Sequence, residues 1–117
     1  MYECGSLKAA LFNRNICQEV KIRYTIMFNY VYVLESINNG NLYIGCTDDL
    51  NRRLLEHNRG LNFSTKPHIP WKILHYEAYL QDSDANRRDK YLKSNQGSRL
   101  LKLMLKDYFY EKKSKSF

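Results

Sequence analysis

Two tyrosines, one arginine and one histidine are the residues of this sequence whose types and spacing could do chemistry. Tyr32 and Tyr43 lie in two apolar segments, and Arg53 and His57 follow, one helical turn apart. A phenol or an imidazole can move a proton, and a guanidinium offers a planar pair of donors to phosphate oxygens. Together these groups suit cleavage of a phosphodiester bond. Each also has an ordinary structural interpretation, as strand packing, a surface ion pair or a buried histidine.

The two tyrosines are predicted to share one face of a β-hairpin. Residues 29–35 and 42–46 are rich in aromatic and β-branched types, and Asn39-Gly40 between them favours a tight turn. A loop with an even number of residues places Tyr32 and Tyr43 on the same side of the sheet. A two-residue turn would leave them about four positions, roughly 13 Å, out of step, whereas a longer loop would bring them level. The sequence leaves this register open.

A helix is predicted directly after the second strand. Thr47 can cap it, and Asp48 and Asp49 suit the positive end of the helix dipole. Gly60 follows the expected end of the helix, near Asn58. This helix would carry both the arginine and the histidine.

The turn angle of that helix separates its two adjacent arginines. At about 100° per residue, Leu50 and Leu54 define the buried face, and His57 and Arg53 lie beside it. Arg52 points to solvent. Periodicity alone favours the ordinary interpretation, in which Arg53 pairs with the acid one turn earlier and His57 is a hydrogen-bonded core residue.

The remaining pattern fits one small domain, because 117 residues allow a single core of modest size. We interpret residues 1–26 as an upstream extension, 27–110 as the working domain and 111–117 as a frayed basic tail. Residues 20–26 alternate like a strand, and residues 7–11 like a short amphipathic turn. The rest of the domain is predicted as a loop over 61–70, a strand over 71–80, a helix from a Ser83 cap to about residue 94, and a last helix over about 97–108.

One carboxylate falls on an apolar stripe. In the helix that follows Ser83, Asp89 lies on the stripe of Ala85 and Leu92. A carboxylate in that position needs a partner. An ion pair with Lys93 or Arg53 would supply one, and so would a divalent cation such as Mg²⁺.

Charge is concentrated at the C-terminal end. The chain carries 19 basic and 12 acidic residues, a formal charge of +7, and residues 83–117 hold ten basic and four acidic residues, or +6. A polyanion partner and a solvated helix explain this excess equally well.

Cysteine usage and hydropathy bear on location. Three cysteines without CxxC spacing predict neither a disulfide framework nor a zinc site. No apolar run approaches the length of about 20 residues that crosses a bilayer. We therefore expect a soluble, cytoplasmic protein that has no membrane partner.

Four segments of the chain, in order, resemble the GIY-YIG nucleases, a family that includes the UvrC-type excision-repair nuclease and homing endonucleases. The segments are YVYVL, LYIGCTDDLNRRLLEHNRG, STKPHIPWKILHYEAYL and ANRRDKYLKSNQGSRLLK. They look most like the small stand-alone bacterial members. The resemblance implies an α/β fold of the α+β type, with a three-stranded antiparallel sheet flanked by helices. It also implies a metal-dependent DNA endonuclease that selects substrates by structure and is linked to DNA repair or recombination.

The resemblance assigns roles to the residues introduced above. Tyr32 and Tyr43 are the tyrosines of the two half-motifs, and one or the other assists deprotonation of the attacking water. Arg53 stabilises charge in the transition state, and His57 orients a tyrosine or shuttles a proton. Asp89 stands where the family has a metal-binding glutamate, so one Mg²⁺ or Mn²⁺ is expected there.

Two positions depart from the family pattern. Tyr30 replaces a glycine, which an extended strand accommodates. Asp89 withdraws its carboxylate by one methylene, about 1.5 Å, so direct coordination would need a shift of the backbone or an intervening water. A non-catalytic nucleic-acid-binding module therefore stands as the alternative.

DNA is the expected partner, with RNA not excluded and an RNA-associated protein as a third hypothesis. No base-reading module is recognisable, so specificity would come from substrate shape or from a partner protein. The basic residues expected to hold the nucleic-acid backbone are Lys66, Arg88, Lys93, Arg99 and Lys102.

Overall fold

A three-stranded antiparallel sheet organises the part of the chain that the computed structural model describes, residues 28–115. The strands are β1 (Asn29–Ser36), β2 (Leu42–Thr47) and β3 (Trp71–Tyr79), in the spatial order β2-β1-β3. β1 has a neighbour on both sides, and its last six residues are buried. The predicted hairpin and third strand are confirmed. The extension over residues 1–26, with its strand and amphipathic turn, lies outside the described residues.

Four helices flank the sheet within residues 28–115. They are α1 (Leu50–Asn58), α2 (Asp82–Lys93), α3 (Asn95–Met104) and α4 (Lys106–Ser114), and a short 3-10 turn covers Lys66–His68. The fold is therefore of the α+β type, as expected. Among these described helices, none is long and apolar enough to cross a membrane.

Two of the predicted helix caps are wrong. Asp49 caps α1 by accepting a hydrogen bond from the Arg52 backbone N–H at 3.1 Å, while the Thr47 hydroxyl accepts one from the Asp49 N–H. Both predicted first-turn acids therefore precede the helix. Ser83 lies inside the first turn of α2, which begins after Gln81. Each cap is displaced by two residues from its predicted position.

The C-terminal region also differs from the prediction. The expected last helix is divided at Leu105, whose φ of −108° and ψ of 25° leave helical geometry. α4 then continues to Ser114, so the prediction of a frayed tail is wrong for residues 111–114. Charged contacts with the sheet, described below, explain why this segment is ordered.

The hairpin loop has four residues, numbers 37–40, and fixes the register that the sequence left open. Gly40 donates its N–H to the Ser36 carbonyl at 2.9 Å, with a φ of +76° that suits glycine. Tyr32 pairs with Gly45, and Tyr43 pairs with Leu34. The two tyrosines are therefore two positions out of step on one face, and their ring centroids are 6.3 Å apart.

The two faces of the sheet carry separate cores. On one face, Tyr32, Leu34 and Trp71 pack with side chains of α1, among them Leu54. On the other face, Val31 packs with Ala85 and Leu92 of α2. Because successive strand residues point to opposite faces, α1 and α2 lie on opposite sides of the sheet.

A buried carboxylate attaches α4 to the central strand. Glu35 is only 2% exposed. It accepts hydrogen bonds from the Tyr108 hydroxyl and from Lys112 Nζ, the latter at 2.8 Å, and Lys72 Nζ lies 3.5 Å away. Burial alone would raise the pKa of Glu35, but the hydrogen bonds from Lys112 and Tyr108 outweigh it and hold that pKa below its usual 4.5.

Replacing this carboxylate should weaken the fold in a pH-dependent way. We expect Glu35→Gln to lower the free energy of unfolding by about 1–3 kcal/mol near neutral pH, because charge-assisted bonds are lost. A lowered folded-state pKa stabilises the fold above the unfolded pKa, and that contribution disappears as pH falls through the folded pKa. The difference between wild type and Glu35→Gln in urea unfolding should therefore shrink on acidification.

The matched control for this measurement is Glu111→Gln, since Glu111 is exposed and has no ion pair within residues 28–115. We expect it to change stability by less than about 0.5 kcal/mol. A Glu35→Gln effect that is equal at acidic and neutral pH would contradict the role given to the carboxylate.

Candidate active site

The candidate active site is centred on Tyr32, which lies in β1 and is only 2% exposed. Its ring covers the backbone of Gly45 on the neighbouring strand. A Cβ atom at Gly45 would lie 2.6 Å from the Tyr32 hydroxyl oxygen and 2.8 Å from its Cζ, closer than real contacts allow. The tyrosine can occupy this position only because the residue opposite has no side chain.

The Tyr32 hydroxyl joins the two chemistry-bearing residues of α1. Arg53 Nε donates to the Tyr32 oxygen at 3.2 Å, and His57 Nε2 lies 3.0 Å from the same oxygen. The Tyr32 hydrogen needs an acceptor, and His57 Nε2 is the one in reach among the described residues. Tyr32 therefore donates to Nε2, which leaves the His57 proton on Nδ1.

A threonine in the loop after α1 accepts a hydrogen bond from that N–H group. His57 Nδ1 donates to Thr65 Oγ1 at 2.8 Å, and the Thr65 hydroxyl can in turn donate to the Asn62 carbonyl at 3.4 Å. Trp71 Nε1 donates to the Thr65 carbonyl at 2.9 Å, which fixes this loop against β3. Every hydrogen bond in the series from Arg53 to the Asn62 carbonyl therefore has one donor and one acceptor.

The helix angle correctly separated the two arginines. The Arg53 side chain is 30% exposed and borders the site, whereas Arg52 is 55% exposed. The predicted partner of Arg53 is wrong, because its Nη1 donates to Glu56 at 2.8 Å and Arg52 pairs with Asp48. Hydrogen bonds to Tyr32 and Glu56 raise the pKa of Arg53 further above its already high usual value.

Tyr43 lies beside the network without belonging to it. Its ring centroid is 4.9 Å from that of His57 in an edge-to-face arrangement. The side chain is half-buried, and its hydroxyl has no hydrogen-bond partner within residues 28–115. Tyr43 is therefore the phenol of the pair that is available to a solvent molecule or a substrate.

Burial keeps the inner groups of the site neutral. It raises the pKa of Tyr32, although the bond and the charge from Arg53 oppose the rise. Burial, together with the charge of Arg53, lowers the pKa of His57 below its usual 6.5. At neutral pH the site thus holds a phenol, an imidazole and one guanidinium charge.

Asp89 makes no hydrogen bond to any of the four residues above. It belongs to α2, which packs on the opposite face of the sheet. Lys93 Nζ donates to Asp89 Oδ2 at 3.0 Å, which is one of the partners considered from the sequence. Asp89 nevertheless acts on β2: after burial, its charge is the largest influence that raises the pKa of the Cys46 thiol, to about 11. Cys46 itself contacts α2, since its thiol donates to the Ala85 carbonyl at 3.6 Å, and Asp89 lies one helical turn after Ala85.

The chemistry around Asp89 fits a cation held by a single carboxylate. Its Oδ1 is buried and has no hydrogen-bond partner in the described part of the chain. Mg²⁺ is commonly bound by one or two carboxylates, with waters and substrate phosphate as further ligands. Within residues 28–115 there is no group of three acidic, histidine or cysteine side chains that could hold a metal by itself.

The five basic residues expected at nucleic acid fall into two groups. Lys66, Arg99 and Lys102 are exposed and have no ion pair within residues 28–115. Lys93 is paired with Asp89, and Arg88 donates through Nε and Nη2 to Glu77. Burial would raise the pKa of Glu77, but the bonds from Arg88 and other donors lower it to about 2. Both residues of the second group are thus already paired with carboxylates of this chain.

Sequence reasoning missed two members of the site. Thr65 is fully buried against His57, yet it lies in a loop where no periodicity indicates which side chain turns inward. Glu56 lies on the partly exposed side of α1, where it also pairs with Arg52 at i,i+4 spacing and 3.4 Å. The i,i+3 spacing of Arg53 and Glu56 was the signal that could have indicated the second pair.

Comparison with known proteins identifies the family of this chain. The sequence model of the GIY-YIG catalytic domain family matches residues 28–102. The chain therefore belongs to the GIY-YIG family, a family of nucleases. No solved structure matches the chain significantly.

The relatives are small proteins that carry the family label UPF0213. One from Streptococcus agalactiae is 40% identical over 65 residues, which cover 55% of this chain and 73% of the relative. One from Staphylococcus epidermidis is 31% identical over 77 residues, covering 65% and 93%, and one from Clostridium perfringens is 32% identical over 89 residues, covering 72% and 95%. The chain is thus similar to stand-alone members of the family.

The contact between Tyr32 and Gly45 makes a stability prediction. We expect Gly45→Ala to lower the free energy of unfolding by about 1–3 kcal/mol, because the new methyl group displaces a buried ring. Denaturant unfolding measures the effect. The cost should be smaller in a Tyr32→Phe background, where the closest atom is absent; a Gly45→Ala protein as stable as wild type would contradict the described packing.

Proposed function

We propose that this protein is a metal-dependent DNA endonuclease that hydrolyses phosphodiester bonds in substrates selected by their structure. The observation that carries the proposal is the position of Arg53. Its Nε and Nη1 are held by Tyr32 and Glu56, while its Nη2 has no hydrogen bond within residues 28–115. A guanidinium fixed on one side and open on the other suits a phosphate oxygen, on which negative charge grows during cleavage.

The two tyrosines act differently in this proposal. Tyr32 is a positioning residue, since its buried hydroxyl holds Arg53 and His57 and is not open to a substrate. Tyr43 contacts the attacking water and assists its deprotonation. His57 stays neutral as the acceptor of the Tyr32 hydrogen bond, so that no second cation competes with Arg53.

Asp89 would hold the cation through its buried Oδ1. When bound, a divalent cation supplies positive charge to the scissile phosphate and to the leaving oxygen. The magnesium or manganese ion expected from the family resemblance belongs to this proposal, as does the participation of Asp89. Lys93 competes with the cation for the same carboxylate.

A non-catalytic nucleic-acid-binding module is the second candidate. The Asp89–Lys93 pair favours it, because a carboxylate neutralised by lysine has less need of a cation. The placement of α2 on the face opposite Tyr32 points the same way. The two candidates differ in whether cleavage accompanies binding.

The physiological setting proposed here is DNA repair or recombination in the cytoplasm. The unequal charge distribution and the family membership support a nucleic-acid partner. DNA is proposed, with RNA as the ligand that competition assays must compare.

Nicking of supercoiled plasmid and of branched DNA tests the proposal, in Mg²⁺ or Mn²⁺ and in EDTA. Arg53→Ala should lower the cleavage rate about 100- to 1,000-fold, because one fixed donor to the transition state is removed. Arg52→Ala is the matched control, since Arg52 is adjacent and more exposed, and its shortest ion pair is with Asp48 at 2.6 Å, against 3.4 Å to Glu56. We expect it to retain nearly full activity.

Three outcomes separate the candidates. Metal-dependent cleavage that is lost in Arg53→Ala and in Asp89→Asn supports the enzyme. Tight DNA binding without cleavage in either metal supports the module. Equal loss in Arg53→Ala and Arg52→Ala would indicate a general charge effect and contradict the role of Arg53.

A further inference from the structure

α4 has two chemically different faces. Tyr108 and Lys112, four residues apart, attach one face to the buried Glu35. The other face carries two lysines and two aromatic residues at helical spacing, namely Lys106, Phe109, Tyr110 and Lys113. Docking through the first face therefore holds the second face in a fixed orientation.

The second face lines a groove with parts of α3 and the hairpin. The groove has a volume of about 610 Å³, and we name it the α4 groove. Its lining residues are Gly40, Leu42, Lys102, Lys106, Phe109, Tyr110 and Lys113. No acidic residue of the described chain lines it.

The lysines of the α4 groove are not neutralised. Lys102, Lys106 and Lys113 are exposed, and none has an ion pair within residues 28–115. In contrast, Arg88 and Lys93 on α2 are both paired with carboxylates. Three unpaired cations around one groove favour a ligand with repeated negative charge.

The aromatic residues indicate which polyanion fits. Tyr110 is 74% exposed, and Phe109 is half-buried beside it on the same helix face. An exposed ring surrounded by lysines is the pattern on which unpaired bases stack while their phosphates are held. Bases in a duplex are stacked on each other and cannot use such a surface. We propose that the α4 groove binds a single-stranded DNA segment.

The position of the groove connects it with the candidate active site. Leu42 lines the groove, and the next residue along β2 is Tyr43. Tyr43 points to the opposite face of β2, so a strand held in the groove would have to pass around this edge of the sheet to reach it. All of α4 follows residue 102, at which the family match ends, whereas Leu42 lies within the matched region. The inference rests on the proposed function only in taking nucleic acid as the partner.

Binding without cleavage tests the α4 groove. Fluorescence anisotropy of a labelled oligo(dT) of about 12 nucleotides, in EDTA, measures affinity for the full chain, with a duplex of equal length as the comparison. Tyr110→Ala should weaken single-strand binding about 5- to 150-fold, because one stacking surface is lost. Tyr110→Phe keeps the ring and should bind like wild type.

Charge is tested separately. Lys106→Gln with Lys113→Gln should reduce the slope of log affinity against log salt by about 1.4, since each lysine neutralises one phosphate. The matched control is Lys90→Gln with Lys115→Gln, which removes the same charge from exposed positions that do not line the groove.

Several results would overturn the proposal. These are equal losses in the groove and control variants, tighter binding of duplex than of single strand, or binding to phosphatidylserine vesicles without binding to oligo(dT). Because cleavage is not measured, a protein that lacks nuclease activity can still bind oligo(dT) through the groove. Conversely, a protein that nicks duplex DNA but fails to bind oligo(dT) would contradict the proposal for the α4 groove and leave the proposed endonuclease function intact.

Discussion

The geometry of the site depends on one packing constraint, the placement of the Tyr32 ring over a residue without a side chain. Gly45 is the direct neighbour of Tyr32 across the hairpin, and its bare backbone leaves room for the ring. The buried hydroxyl then receives Arg53 Nε and reaches His57 Nε2. A hydroxyl in this position needs both of its hydrogen-bonding capacities satisfied, and α1 supplies the two partners. Strand pairing and helix packing are thereby coupled at a single oxygen.

Much of this arrangement could be predicted because it follows from local periodicity. Strand alternation put Tyr32 and Tyr43 on one face, and the turn angle of α1 selected Arg53 over Arg52. Each of these two predictions depends only on residues within a single helix or a single hairpin. The four-residue hairpin loop, in contrast, was one of two registers that the same sequence allowed.

The contacts that sequence reasoning missed join residues distant along the chain or turned inward from a loop. Tyr108 and Lys112 bind Glu35 from more than 70 positions away, so nothing near residue 112 indicates that the tail forms a helix. Thr65 reaches His57 from an irregular loop. Asp89 was expected to hold a metal, but no local pattern reveals which face of the sheet its helix covers. Such placements are decided by tertiary packing, for which one sequence contains no direct signal.

Neutral His57 accepts the Tyr32 hydroxyl hydrogen on Nε2 and so holds the site around Arg53. ¹⁵N NMR of the imidazole nitrogens in labelled protein measures which nitrogen carries the proton. We expect a proton on Nδ1, an Nε2 chemical shift that changes in Tyr32→Phe, and a His57 pKa below 6.5. A proton on Nε2, or a doubly protonated ring at neutral pH, would contradict it.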